Sequence, residues 1–382
     1  VADTPPAVGD SFRPVWSEVD LDAVRANVRV LAGAAAPAQL LAVVKADGYG
    51  HGATPVARAA LEAGASWLGV ALVEEGVALR DDGVDERILV LSETPPSAAA
   101  AVVAHSLTPV VYTTNGIEAL AKAVADSGTD VPLRVHLKVD TGMHRVGCTV
   151  DDALGLMETI AARHELELEG ICTHLAVADE PESSYTDEQL DRFDGLLDQL
   201  DAAQSRPAIV HAANSAGLLG HERARYDLVR VGIAVYGVPP APALADRVDL
   251  RPALSLRARV SHVKELPAGA GVSYGLHYTL PRPGRIVTVP VGYADGVPRN
   301  LGRAGGEVLV RGRRFPIAGA VTMDQLMVDV GDEPVEPGEE VVLLGSQGDD
   351  TIHAGEWAER LGTIAYEVVT GIGPRVPRRY VG

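Results

Sequence analysis

Only two cysteines, Cys148 and Cys172, occur in 382 residues, too few for a disulfide framework and not paired as CxxC. A reducing, cytoplasmic setting fits that usage. Aromatic residues make up only 4% of the chain, and tyrosine, with ten, outnumbers phenylalanine and tryptophan, with three each. Cations are in the minority: 33 Lys and Arg against 52 Asp and Glu leave a net charge of -19. Such a field repels a polyanion, so no nucleic-acid partner is expected. No run approaches about 18 consecutive apolar residues, so no membrane span is expected. The first fifteen residues, VADTPPAVGDSFRPV, have no apolar run behind a basic start, and no secretory leader is expected there. Neither HELEL nor HERAR continues into HExxH, and no spaced Cys/His quartet exists, so no zinc site is expected. Ser215 sits in ANSAG, without the first glycine of a G-x-S-x-G elbow. What is present is a globular composition, 47% hydrophobic and 22% charged, in a chain long enough for two or three domains.

Between residues 40 and 235, short apolar runs alternate with segments of helical periodicity. The runs cover residues 40–44, 67–73, 88–91, 109–112, 133–139, 168–173, 208–211 and 227–231. In TPVARAALEAGA and NGIEALAKAVADSG apolar residues recur at three and four, with the leading Thr or Asn as an expected N-cap. Continuous apolar strands joined by helices predict a parallel sheet covered on both faces, and eight such units predict a closed (β/α)8 TIM barrel. After Gly237 a Pro-rich stretch, PPAPALAD, reads as a linker. Strand-like segments follow at residues 255–266, 285–291, 307–310, 326–330 and 340–344, separated by PRPG, RAGG and PVEPGE turns. The expected organisation is a barrel over residues 1–240, its first residues free to pack with the second domain, and a mainly β domain over residues 241–382.

The first barrel strand and its loop read LLAVVKADGYGHGATPVARAA. Lys45 ends the strand, where desolvation lowers a lysine pKa and suits it to Schiff-base chemistry; the plainer alternative is a lysine snorkelling to solvent. Gly48, Gly50 and Ala53 also satisfy G-x-G-x-x-G/A, with Glu74 ending the next strand, so a dinucleotide site is a rival reading. Tyr49 and His51 oppose it, because bulky side chains sit where a pyrophosphate must approach closely. Further polar residues follow later strands: Lys138, Asp140 and Arg145 after the fifth, His174 after the sixth, His211, Asn214 and Ser215 after the seventh, Arg230 and Gly232 after the eighth. In a barrel all of these share the C-terminal rim, where active sites are built and where phosphate is held after strands seven and eight. Singly, each has a structural explanation, such as Asn214 as an N-cap.

Together, AVVKADGYGHG, LKVDTGMHRVG, HAANSAG, RVGIAVYG, VSYG, VGYADG, TMDQLMVDVG and TIAYEVVTGIGPRVPRRY resemble bacterial alanine racemases over nearly the whole chain. The lysine loop is shared with other barrel pyridoxal-phosphate proteins; SYG, VGYADG and MDQLMVDV are far more specific. The resemblance implies a pyridoxal 5'-phosphate enzyme that interconverts L- and D-alanine, supplying D-alanine for peptidoglycan, as an obligate homodimer with shared sites. It implies that Lys45 carries the cofactor and that Tyr49, Ser215, Tyr366 and the backbone of Gly232 and Ile233 hold its phosphate. Arg230 would face the pyridine nitrogen, with His174 behind it and His211 and Asn214 nearby. Arg145 would contact the phenolic oxygen, and Lys138 matches a position often carbamylated. From the other chain would come Tyr274, as second base, and Met323, whose backbone helps bind the substrate carboxylate; Tyr293 would line the approach.

Racemisation needs an acid/base on each face of the α-carbon, and lysine and tyrosine both start near pKa 10, so each must be tuned toward neutrality. An arginine cannot readily give a proton to the ring nitrogen, which limits the electron sink and disfavours transamination and decarboxylation. The alternatives are another amino-acid racemase or a decarboxylase on the same plan, and a non-enzymatic pyridoxal-phosphate carrier. A decarboxylase would ordinarily use an acidic partner at Arg230, and a carrier would have no second domain. Three positions depart from the pattern: Ala320 for the usual arginine, Thr322 for a common cysteine, and THLAVAD where an aromatic usually follows the histidine.

Overall fold

The computed structural model describes residues 12–382; the stretch read for a leader lies mostly outside them. Chain contacts divide the protein into two compact units. One consists of Val24–Gly48 and Ala53–Arg251; the other takes residues 12–23, Tyr49–Gly52 and Pro252–Gly382.

The first unit is a nearly closed barrel of eight parallel strands: Gln39–Val43, Trp67–Val70, Arg87–Val90, Thr108–Val111, Leu133–Lys138, Leu166–Cys172, Ile209–His211 and Leu228–Val231. Neighbours pair in chain order, and the eighth returns to pair with the first. Single backbone bonds stitch the remaining seam, Asp227 N–H to Val210 O at 3.0 Å and Arg230 N–H to Ala213 O at 2.9 Å. Most of the strand residues are buried, so the runs are apolar on both faces, as a sheet wrapped by helices requires.

The helix caps lie earlier than the periodicity predicts. Thr113, not Asn115, caps Thr114–Ser127 by accepting the Gly116 N–H at 3.0 Å, and Gly128 at φ 71 ends it. Ala53–Glu62 begins before Thr54, and Asp47 Oδ1 accepts its first N–H at 2.9 Å.

In the second unit a seven-stranded sheet runs Arg313–Pro316, Glu307–Val310, Glu340–Gln347, Leu254–Arg259, Val15–Asp20 and Arg378–Val381, with Asp350–Ile352 beside Glu340–Gln347. The strand Val15–Asp20 had no counterpart in the expectation; it runs antiparallel to Leu254–Arg259 and parallel to Arg378–Val381. A second sheet holds His262–Leu266, Gly284–Val289 and Leu326–Gly331. The single strand expected over 255–266 is therefore two. At the break Val260 donates to Glu339 O while Ser261 donates to Thr288 O, so the chain leaves one sheet and joins the other. Valine and leucine from both sheets fill the core with Trp357. Among the described residues no helix is long and apolar enough to cross a membrane.

Candidate active site

Directly after the first barrel strand the chain turns through three left-handed residues, Ala46, Asp47 and Gly48, at φ 52, 53 and 60. Two of these carry a Cβ, so the turn holds strain that its bonds must offset. Glu75 Oε1 accepts the Ala46 N–H at 2.6 Å, and the Gly48 N–H reaches Val44 O at 2.8 Å. Lys45 is thereby fixed at the strand end, half-buried. Burial lowers its pKa, the Arg145 cation lowers it further, and Glu75 opposes both.

Arg230, on the eighth strand, is buried among neutral acceptors. Nη1 lies 2.8 Å from His211 Nδ1; Nη2 reaches Thr173 O at 2.9 Å, Ala212 O at 3.0 Å and His174 Nδ1 at 3.1 Å. Nε has no partner among the described residues, and no carboxylate touches the guanidinium. His174 and His211 are held well below the ordinary histidine pKa by burial first and the Arg230 charge second, so both are neutral acceptors.

After the seventh strand Asn214 caps Ser215–Gly220, accepting the Gly217 N–H at 2.8 Å. Ser215 Oγ accepts from Gly232 N–H at 3.0 Å and Ala234 N–H at 3.5 Å, which leaves its own proton to donate. The Gly232 N–H, part of the backbone expected at the phosphate, is given to Ser215. The N–H of fully buried Ile233 has no acceptor among the described residues, and a buried orphan donor invites an anion.

Lys138 is buried and its ammonium has no hydrogen-bond partner among the described residues. Burial brings its pKa down to about 8; Cys172 opposes this, while the Arg230, Arg145 and Lys45 charges add to it. Below about pH 8 the fold carries this cation at full penalty. From there to the ordinary value of 10.5 only the unfolded chain binds the proton, so stability rises with pH. Lys138→Met is therefore expected to stabilise the protein at pH 7 by about 1–3 kcal/mol in buffer purged of carbon dioxide. Urea unfolding across that window should show the gain vanish toward its upper end; a pH-independent gain would refute the charge argument.

The remaining expected residues belong to the β-rich unit. Tyr49 and Tyr366 meet with ring centroids 6.2 Å apart, and burial pushes the Tyr49 hydroxyl up to about 12. Gly50 is at φ 80, and a Cβ there would lie 2.6 Å from Val369 O, so only glycine admits this approach. Tyr274 follows Ser273, itself at φ 65, and is 71% exposed; Met323 is 52% exposed. Their loops are tied together by Ser273 Oγ donating to Ala320 O at 2.6 Å. Tyr293 and Ala294 donate to the carbonyls of Thr322 and Met323, both at 3.0 Å. The Met323 N–H has no acceptor among the described residues.

The sequence reading missed several supporting residues. Gln189 bridges two loops, reaching Thr141 Oγ1 at 3.3 Å and His174 O at 3.0 Å, and accepting the Ala176 N–H at 2.8 Å. His136, two residues before Lys138 in an apolar strand, carried a usable signal: both side chains face one way.

Comparison with known proteins agrees over nearly the full length. The model of the alanine racemase N-terminal domain matches residues 19–240, and that of the C-terminal domain residues 253–380. The alanine racemase of Symbiobacterium thermophilum is 53% identical over 374 residues, 98% of each chain. Among solved structures, the alanine racemase of Streptomyces lavendulae superposes with a TM-score of 0.92 at 42% identity, covering 98% of both chains. The histidine racemase of Leuconostoc mesenteroides superposes at 0.89 with 31% identity, covering 98% of this chain and 100% of its own. With its lysine-ended first strand, its arginine among neutral acceptors and both domains matched in order, the chain belongs to the alanine racemase family.

Proposed function

We propose that the protein is a cytoplasmic alanine racemase that uses pyridoxal 5'-phosphate and supplies D-alanine for peptidoglycan. The observation that carries this reading is the Arg230 cluster, a buried guanidinium with neutral acceptors and an Nε unpaired among the described residues. The residues present fit the cofactor: Ser215 and Ile233 have a hydroxyl proton and an N–H to give a phosphate, and Arg230 Nε suits a ring nitrogen. When bound, pyridoxal phosphate acidifies the α-C–H of an attached amino acid by spreading charge into its ring.

Lys45 Nζ would hold the cofactor and would move a proton on one face of the substrate α-carbon. The partner's Tyr274 does so on the other face, and the partner's Met323 offers its N–H to the substrate carboxylate. Exposed Tyr274 and Met323 support a homodimer with shared sites. Tyr49 and Tyr366 would serve the phosphate as well, and His174, His211 and Asn214 would support Arg230 at the ring nitrogen. Arg145 adds a cation that acts on Lys45 and would contact the cofactor's phenolic oxygen. Lys138, carrying a depressed pKa among three cations, suits carbamylation: its amine adds to carbon dioxide, loses a proton and becomes an anion that orients Arg145.

Arg230 would leave the ring nitrogen unprotonated, because a guanidinium holds its protons. Arg230→Glu is expected to lower racemisation by about 100-fold while raising transamination. An unchanged ratio of the two reactions, followed by chiral chromatography of alanine and appearance of pyruvate, would contradict this role. The function itself is tested by incubating the cofactor-loaded protein with L-alanine, which should approach an equal mixture of enantiomers. Racemisation of histidine or another amino acid with alanine untouched would overturn the substrate assignment.

A further inference from the structure

Behind Arg230 the hydrogen bonds continue through the barrel interior. His211 accepts Arg230 Nη1 at Nδ1, 2.8 Å away, and its Nε2 lies 2.8 Å from His136 Nδ1. His136 Nε2 lies 3.3 Å from Glu169 Oε2, and Arg87 donates to both oxygens of the same carboxylate. The Arg87 guanidinium is stacked 3.7 Å over the Trp67 ring. Both imidazoles are fully buried, and burial holds each below the ordinary histidine value, so each carries one proton. Burial alone would raise Glu169, but the bonds from His136 and Arg87 outweigh it and hold the carboxyl at about 2.

The two ends of this chain leave one proton arrangement. Arginine can only donate, so His211 must accept at Nδ1 and carry its proton on Nε2. His136 must then accept at Nδ1 and carry its proton on Nε2, where a carboxylate, which can only accept, is waiting. The strands are shaped for it. Val135 pairs with Leu168 but His136 with Gly170, so Glu169 is the extra residue of a β-bulge, a device that re-aims a side chain. A Cβ at Gly170 would lie 2.5 Å from His136 Nδ1, so the ring occupies space that only glycine leaves.

We infer that Glu169 and His136 are positioning residues for the reaction: through two proton-ordered imidazoles they fix His211 as an acceptor and Arg230 as its donor. The anion that balances Arg230 is thereby kept two imidazoles away from the reacting ring. The consequence for catalysis rests on the function proposed above; the proton order does not. A glutamine cannot replace Glu169, because its single carbonyl oxygen must serve Arg87, turning the amide N–H groups toward His136. His136 would then accept at Nε2, and two donors would face each other between the histidines.

Neutron diffraction from deuterium-exchanged crystals of the cofactor-loaded protein reads the arrangement directly, whether or not the protein racemises alanine. Deuterons are expected on Nε2 of both His136 and His211; one on Nδ1 of either overturns the inference. Glu169→Gln should move the His136 deuteron to Nδ1 and lower kcat by about tenfold, with KM for alanine within about twofold. His136→Gln, able to accept from His211 and donate to Glu169, should keep kcat within about threefold, whereas His136→Leu should lose about tenfold. Equal losses in the glutamine and leucine variants would mean that His136 serves packing alone, and would overturn its positioning role.

Discussion

Lys45→Ala is expected to lower alanine racemisation by about 10,000-fold or more, because in the proposed mechanism one amine both holds the cofactor and moves a proton. Borohydride treatment should fix the cofactor to the parent protein and leave the variant free of it after denaturation. The change should leave the fold intact, since the lysine is half-buried with a pKa already lowered by burial and Arg145, so its removal deletes a disfavoured charge. Its turn is held by other groups, Glu75 on the Ala46 N–H and Asp47 on the Ala53 N–H. Full activity in this variant would refute the mechanism. A primary amine added in solution should restore part of the lost rate, which separates a missing base from a collapsed site.

Tyr274→Phe should lower racemisation by about 100- to 1,000-fold, the usual contribution of a positioned acid/base. Within one chain this tyrosine is 71% exposed on a turn tied to the Met323 loop. A large aromatic left so open is what a surface awaiting a second subunit would show. Two inactive chains make the sharper test. If each site takes Lys45 from one subunit and the partner's Tyr274, a hybrid dimer of Lys45→Ala and Tyr274→Phe chains holds one intact site and one doubly impaired site. After equal mixing and full exchange, about a quarter of the parental activity should return. No recovery despite exchange shown by differently tagged subunits would place both bases in one chain.

Legibility from sequence followed the range of the interactions. The eight barrel strands were readable because each is a short apolar run buried on both faces, a property written into consecutive residues. Lys45 stood out for the same reason, as a charge ending such a run. The helix starts were misplaced by up to a few residues, since the competing cap at Thr113 differs from Asn115 only in where the chain turns. Strand 255–266 read as one because no glycine or proline interrupts it at the point where Val260 and Ser261 change sheets. Val15–Asp20 went unread because its partners lie more than 200 residues away.

The site divides in the same way. Local order along the chain established a parallel barrel, the lysine at its rim, the histidines and arginine after later strands, and the motifs shared with alanine racemases. Tertiary structure decided which of those groups meet: that, among the described residues, Arg230 has neutral acceptors and no carboxylate, Gly232 spends its N–H on Ser215, and Lys138 has cations around it without a bonding partner. It also decided the line from Arg230 through His211 and His136 to Glu169, residues 19 to 75 positions apart at each step. Backbone preference and hydrophobic burial act on neighbours in sequence and are legible there. Proton order and charge balance depend on distances of about 3 Å between residues far apart in the chain, and only the closed barrel sets those.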